Sequence, residues 1–359
     1  MSRIRVMIVE DSRVVRQFLE HLIERDPRLE VVASVGSAES ALRMMDRASP
    51  DVISMDIQLP GMNGFEATQR IMSERPTPIV VIAASVQTGD LNMAMNALRA
   101  GALAVVEKPP GLNHGEYQAR AQQICTQLAI MSQVKVVRQR FRNGSLYRSP
   151  KTSTISLSPS FAPTDSSRHP ERMVGVVAST GGPKALESIL RKLPADFPFP
   201  ILLVQHMTTG FMEGFVQWLN GVCALRVELA RDGQRAQPGC VHVAPDDRHL
   251  RLDGRHLRLD DGEPICMQRP SGTALLESMA GSLGENAVGV VLTGMGTDGA
   301  EGLLQMRRAG AHTMTEDAST AVVFGMPKAA VELGASCESL PLGQIAARLL
   351  SMHALSEVI

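Results

Sequence analysis

The feature that most restricts this chain is a rhythm. Between Ile4 and Lys108, short apolar runs rich in valine and isoleucine alternate with stretches patterned as amphipathic helices. IRVMIVE, LEVVASVG, DVISMD, PIVVIAAS and AVVEK read as strands, and SRVVRQFLEHLIER, SAESALRMMDR, FEATQRIMSE and NMAMNALRAG as the helices between them. A fifth helix begins near Tyr117. Strands this apolar need cover on both faces, so the pattern predicts a parallel sheet with helices on each side.

The rhythm stops between Asn143 and Pro170, where SLYRSPKTSTISLSPSFAPTDSSRHP is rich in Ser, Thr and Pro. Such a segment buries too little apolar surface to offset its ordering entropy and reads as a linker. Afterwards MVGVVAS, PKALESILRKL, ILLVQH and FMEGFVQWLNG restore the alternation, followed by TALLESMAGSL, AVGVVLTG and AEGLLQMRRAG. A hairpin-like insert, from VHVAP through HLRLDGRHLRL, interrupts them. The predicted fold class is therefore α/β: an N-terminal (βα)5 parallel sheet over residues 1–121, a helical extension and linker over 122–170, and a C-terminal doubly wound α/β domain over 171–359 carrying a small antiparallel hairpin insertion. His242, His249 and His256 fall in that insert, where exposed, alternating strand positions explain them more simply than a metal cluster.

Charge and cysteine content narrow the classes of function. With 36 Lys and Arg against 37 Asp and Glu, the net charge of −1 gives no basic field for nucleic acid, and no helix-turn-helix pattern stands out. The five cysteines are scattered without a C-x-x-C pair, which disfavours a disulfide framework or a zinc site and suits a reducing cytosol. The start, MSRIRVMIVEDS, lacks the apolar core of an export signal, and no later run approaches the roughly 18 apolar residues of a membrane span. A cytoplasmic protein without membrane insertion is expected.

Two sets of polar residues stand at predicted strand ends, where open parallel sheets bind ligands. In the first half these are Glu10, Asp11, Asp56 and Lys108. Carboxylates that converge repel one another unless a cation joins them, and oxygen ligands suit Mg²⁺. A neighbouring lysine can hold a phosphoryl group, so the set implies acyl-phosphate formation on Asp56 with Glu10 and Asp11 helping to hold the metal.

In the second half, GVVASTGGP, ILLVQHM and VGVVLTGMGTDGA each end an apolar strand in polar residues. A glycine turn into a helix opened by Pro183 would expose Ser179, with N–H groups around Gly181 and Gly182 available to a developing oxyanion. His206 could act as general base and Asp298 could orient it, without any metal. Taken singly, each signal has a plainer reading: the STGG turn as a steric need or phosphate nest, His206 as a bonded strand-end residue, Asp298 as a helix cap. Neither glycine-rich turn has the spacing of a nucleotide-binding loop. A phosphorylation-controlled binding module without catalysis also remains open.

EDS, DIQLPGMNG and EKP at successive strand ends resemble the response-regulator receiver domain over about residues 4 to 121. That resemblance implies phosphorylation of Asp56 by a histidine kinase and a cis proline after Lys108. Receivers carry a switch hydroxyl near the end of the fourth strand; VVIAASVQTGD offers Ser85, one position beyond the expected register, and Glu10 replaces the commoner Asp. VASTGGP, LVQHMTTGF, VHVAPDDRHL, GVVLTGMGTDGAEG and VVFGMPKAA resemble the catalytic domain of chemotaxis protein-glutamate methylesterases, from about Met173 onward. This second resemblance implies that Ser179, His206 and Asp298 hydrolyse glutamate methyl esters on chemoreceptors and deamidate receptor glutamines, with Thr180 and Met295 shaping the oxyanion and acyl pocket.

Overall fold

The computed structural model describes residues 2–83, 96–108, 117–134, 136 and 172–354. Ser85, Pro109 and the linker therefore lie outside the described residues. The first domain runs β1 (Ile4–Val9), α1 (Arg13–Glu24), β2 (Leu29–Val35), α2 (Ala38–Ala48), β3 (Val52–Met55), α3 (Gly64–Glu74), β4 (Ile79–Ala83), β5 (Ala104–Glu107) and α4 (Tyr117–Met131). Its five strands are all parallel, in the order β2-β1-β3-β4-β5. Ser12, Ser37 and Asn63 start the first three helices by accepting the N–H groups of Val15, Ser40 and Glu66, each replacing a bond the first helical turn lacks. Helix α4 buries Ile124, Leu128 and Met131 in the same cluster as Val6 and Ile8, so the packed body continues along this helix to Met131.

The second domain continues with β6 (Met173–Ala178), α5 (Gly182–Leu190), β7 (Ile201–Gln205), α6 (Met212–Val222), β8 (Arg226–Leu229), β9 (Cys240–Val243), β10 (His249–Asp253), β11 (His256–Asp260), α7 (Gly272–Leu283), β12 (Ala287–Val291), α8 (Ala300–Arg308), β13 (His312–Glu316), α9 (Met326–Glu332), β14 (Glu338–Leu340) and α10 (Leu342–Ala354). Seven strands form a parallel sheet in the order β14-β13-β12-β6-β7-β9-β8, and β10 and β11 make a separate antiparallel hairpin. The strands of MVGVVA, ILLVQ and AVGVV are buried at every residue, as a sheet covered on both faces requires.

The insert is smaller than its sequence suggests, because VHV is not part of it. That segment is β9, paired between β7 and β8 in the main sheet. His242 is consequently fully buried, as is His249, which faces the start of α7, and only His256 is exposed. Alternation in so short a run does not distinguish an exposed hairpin from a two-sided interior strand.

Each sheet reverses its order of strand addition beside its first strand, leaving a crevice at the carboxyl ends. In the first sheet that point lies between β1 and β3, and in the second between β6 and β12.

Candidate active site

Ser179 follows β6, His206 follows β7, and Asp298 lies in the loop after β12. Strand pairing brings them together: Ala178 faces Gln205 across β6 and β7, and the next residue, His206, donates its N–H to the Ala178 carbonyl at 2.9 Å. The β12 loop is stitched to the same turn by the Ser179 N–H, which donates to the Thr293 carbonyl at 3.0 Å. His206 Nε2 lies 2.8 Å from Asp298 Oδ2. An ionised carboxylate only accepts, so Nε2 carries the hydrogen and Nδ1 is the ring nitrogen left to receive a proton. The Ser179 hydroxyl makes no hydrogen bond to His206 among the described residues; such bonds often tighten only when substrate is bound.

Asp298 is held at the start of α7. Its Oδ1 accepts the Ser271 hydroxyl at 2.6 Å and the Thr273 N–H at 3.0 Å, and its Oδ2 accepts the Gly272 N–H at 2.6 Å. Burial alone would raise its pKa. The hydrogen bond and charge of His206, joined by bonds from Ser271 and Thr273, outweigh burial and hold the carboxyl at about 2. Ser271 is itself fixed, since its N–H donates to His249 Nδ1 at 3.2 Å while His249 Nε2 donates to the Glu263 carbonyl at 3.1 Å.

The other expected site residues divide. Thr180 is half-buried beside Ser179, and Met295 is 51% exposed on the β12 loop. Gly181, with φ of 81°, makes the turn into α5. Gly182 does not offer a free oxyanion donor, because its N–H already donates to the Ser179 carbonyl at 2.8 Å. Its lack of a side chain serves packing instead: a Cβ there would overlap Gln205 Oε1 and lie 2.9 Å from Ala178 Cβ.

Several supports have no place in the sequence reading. Gln205 Nε2 donates to the carbonyls of Ser179 at 2.9 Å and His206 at 2.8 Å, clamping the two turns. Thr293 Oγ1 donates to the Thr180 carbonyl at 2.9 Å, and the Thr293 N–H donates to buried Glu316 at 2.9 Å. Burial pushes the Glu316 carboxyl above the usual range. Gly294 lies against the Ser179 turn, and a methyl there would overlap Met326 and come 2.7 Å from Ser179 Cβ. The polar Gln205 ending an apolar strand, and Ser271 before a helix, are local signals that could have been read; Glu316 and Thr293 give none.

Residues 174–349 match the family model described as CheB methylesterase, and residues 6–116 match the response regulator receiver domain. A protein-glutamate methylesterase/protein-glutamine glutaminase 2 of Paramagnetospirillum magneticum is 56% identical over 348 residues, covering 97% of both chains. The chain belongs to the CheB methylesterase family. A second relative, the protein-glutamate methylesterase/protein-glutamine glutaminase of Nitrosospira multiformis, is 44% identical over 354 residues, covering 98% of this chain and 97% of its own. The crystal structure of the Thermotoga maritima CheB methylesterase catalytic domain aligns with 51% of this chain and 98% of its own, at 36% identity and a TM-score of 0.49. In family terms the second domain is the methylesterase domain and the first is the receiver.

In the receiver, Lys108 Nζ lies 2.9 Å from Asp56 Oδ2 and 3.0 Å from Glu10 Oε2. Burial opposes the lysine's charge, but the hydrogen bonds and charges of Asp56 and Glu10 prevail and raise its pKa. Burial together with the charge of Asp56 raises the pKa of Glu10. Oxygens of Glu10, Asp11 and Asp56 lie within 4.8 Å of one another, two of the residues buried and Asp11 exposed to solvent. This all-oxygen donor set, open on one side, fits a small divalent cation that keeps waters and shares a phosphoryl oxygen. Gly64 makes room behind Asp56, since a Cβ there would overlap the Asp56 carbonyl.

The two domains meet at the serine turn. Gln127 on α4 donates from Nε2 to Thr180 Oγ1 at 3.3 Å. Val322 and Val323 of the methylesterase domain pack against the receiver cluster that contains Ile124 and Leu128. A Cβ on Gly181 would meet Val322 at 2.6 Å, so Val322 lies between the serine turn and that cluster.

Among the described residues one further group of ligand-type side chains converges, formed by Glu228, Cys240 and His242. His242 Nε2 accepts the Gln237 N–H at 3.1 Å, which leaves its hydrogen on Nδ1, facing Glu228 at 3.3 Å. A metal on Nδ1 would displace that hydrogen, and burial pushes the Cys240 thiol up to about 11, away from the thiolate a metal needs. The group is a hydrogen-bonded element of the sheet. No helix among the described residues is long and apolar enough to cross a membrane.

Proposed function

We propose that this chain hydrolyses the methyl esters of glutamate side chains on chemoreceptors, releasing methanol, that it also deamidates receptor glutamines, and that phosphorylation of Asp56 by a chemotaxis histidine kinase switches it on. The observation that carries the hydrolytic reading is the 2.8 Å contact between His206 and a fully hydrogen-bonded Asp298 beside the half-buried Ser179. The names and near-complete coverage of the relatives support the substrate class. Ser179 attacks the side-chain acyl carbon, and His206 takes its proton on Nδ1 and returns it to the leaving methanol or ammonia. Asp298 stabilises the imidazolium. Water then repeats the sequence on the acyl-enzyme, so ester and amide substrates use the same residues. In the receiver, Glu10, Asp11 and Asp56 would hold Mg²⁺, which would offset the charge of the transferring phosphoryl group. Lys108 lies ready to pair with the anion.

The unphosphorylated receiver fits the role of a cover. Its α4 helix meets Thr180 through a glutamine carboxamide, the same functional group as the deamidation substrate. Purified full-length protein incubated with methylated receptor membranes and Mg²⁺ is expected to release methanol faster when a small phosphodonor is added, and Asp56→Asn to remove the response. Release that ignores the phosphodonor, from a receiver shown to be phosphorylated, overturns the gating; no release in any condition overturns the hydrolase.

Gln127 gives a finer test. Its hydrogen bond to Thr180 is worth about 1 kcal/mol. Gln127→Leu is therefore expected to raise basal methanol release about fivefold without phosphodonor, and an unchanged basal rate removes Gln127 from the gate.

A further inference from the structure

The hairpin of β10 and β11 stands outside the main sheet, yet it is fastened along α7. The Leu252 N–H donates to Ser278 Oγ at 2.9 Å, and the Leu252 carbonyl accepts the Ser282 hydroxyl at 2.9 Å. Leu250, Leu252 and Leu257 share one buried cluster with Leu275, Leu276 and Met279 of the helix. At the N-terminal end of α7 the link is His249, which is fully buried.

Both ring nitrogens of His249 are engaged, each in one sense only. The Glu263 carbonyl can only accept, so Nε2 carries the hydrogen across the 3.1 Å contact, and the bare Nδ1 accepts the Ser271 N–H at 3.2 Å. Ser271 caps α7: its Oγ accepts the Ala274 N–H at 3.4 Å and donates its own hydrogen to Asp298 Oδ1 at 2.6 Å. Gly272 and Thr273 give their N–H groups to the same carboxylate. Thr273 Oγ1 accepts the Gly299 N–H at 2.8 Å, tying the loop that carries Asp298 to this turn. The first turn of α7 is therefore the cradle of Asp298, and His249 holds that turn from outside the helix. Any shift of the cradle reaches the His206 ring, because Asp298 Oδ2 meets His206 Nε2 at 2.8 Å.

We infer that His249 is a positioning residue for the hydrolysis: its bare Nδ1 anchors Ser271 and so sets the carboxylate of Asp298 against His206. This rests on the hydrolase reading above. The hairpin then acts as a splint for the catalytic carboxylate, and a misplacement of about 1 Å at such a group costs about 100-fold in rate.

Two polar variants separate the two ends of the ring. In His249→Asn the side-chain oxygen takes the position of Nδ1 and can still accept from Ser271, while the donor to Glu263 is lost. In His249→Gln the amide nitrogen reaches the position of Nε2 and can still donate to Glu263, while no acceptor remains beside Ser271. In the full-length protein with Mg²⁺ and phosphodonor, His249→Gln is expected to lower kcat for methanol release from methylated receptor membranes by about 10- to 100-fold, with KM unchanged. His249→Asn is expected to stay at least about tenfold above it. A histidine that merely anchors the chain at Glu263 gives the reverse order or an equal loss; either result overturns the inference, as does wild-type kcat in His249→Gln or a change confined to KM. Nitrogen NMR of the wild-type histidines decides the matter where a variant does not fold: hydrogen on His249 Nε2 supports the inference, and hydrogen on Nδ1 overturns it. If the wild type releases no methanol, the hydrolase reading fails, and the proton signal of His206 Nε2 still tests the positioning. Its retention in His249→Asn with loss in His249→Gln supports it, and the same signal in both rejects it.

Discussion

Alanine at position 179 is expected to lower kcat for methanol release by about 10⁶-fold, the size found when the nucleophile of such a triad is removed. The fold should survive, because the new side chain keeps the Cβ that faces Gly294, and the Ser179 backbone bonds to Thr293, Gln205 and Gly182 do not involve the hydroxyl. Single-turnover methanol release from methylated membranes, alongside the circular dichroism of the variant, checks both parts. Residual hydrolysis within tenfold of the wild type would show that another group attacks the ester. Phosphorylation of Asp56 should be unaffected, since the receiver site is built entirely from the first sheet.

Asp298→Asn is expected to lower kcat by about 10⁴-fold, the scale on which loss of the imidazole's orienting carboxylate acts. All four partners of the Asp298 carboxylate are donors: His206 Nε2, the Ser271 hydroxyl, and the N–H groups of Gly272 and Thr273. An amide turns one of its two acceptor atoms into a donor facing donors, which disfavours the tautomer that leaves Nδ1 free to accept. The same change has a pH signature in stability. The folded carboxyl sits at about 2 against an ordinary value of 3.8, so its contribution is present above pH 3.8 and is lost as pH falls through about 2. Integrated, that contribution is about 2 kcal/mol at neutral pH. Denaturant unfolding should therefore find wild type more stable than Asp298→Asn at pH 7, with this part of the gap closing between about pH 4 and pH 2. A gap independent of pH across that range would mean the low pKa is not what the carboxylate contributes.

The strand and helix pattern was legible because buried parallel strands and amphipathic helices impose different periods on local sequence. The three polar-ended segments of the second domain and the receiver acids were legible because strand ends in parallel sheets are where polar groups gather. Ser179, His206 and Asp298 could be nominated one by one from their positions after β6, β7 and β12. Their joint action was expected from residue type and from the family resemblance, but the local pattern does not contain the contact that brings them together, which depends on β12 lying beside β6, a neighbour relation between strands more than a hundred residues apart.

The same limit explains the errors. VHV reads as part of a hairpin, yet it pairs between β7 and β8, because the partner of a short strand is chosen by the whole sheet. Gly182 reads as an oxyanion donor, yet its N–H closes the serine turn and its missing side chain accommodates Gln205. Glu316 and Thr293 look like ordinary strand residues until a buried hydrogen bond joins them beside the Ser179 turn. By itself the sequence determined which chemistry-bearing residues end the strands, since that follows from local period and turn composition. Only the tertiary structure decided which of them meet, which donors are already engaged, and that α4 of the receiver reaches Thr180, because those facts depend on packing between segments remote in the chain.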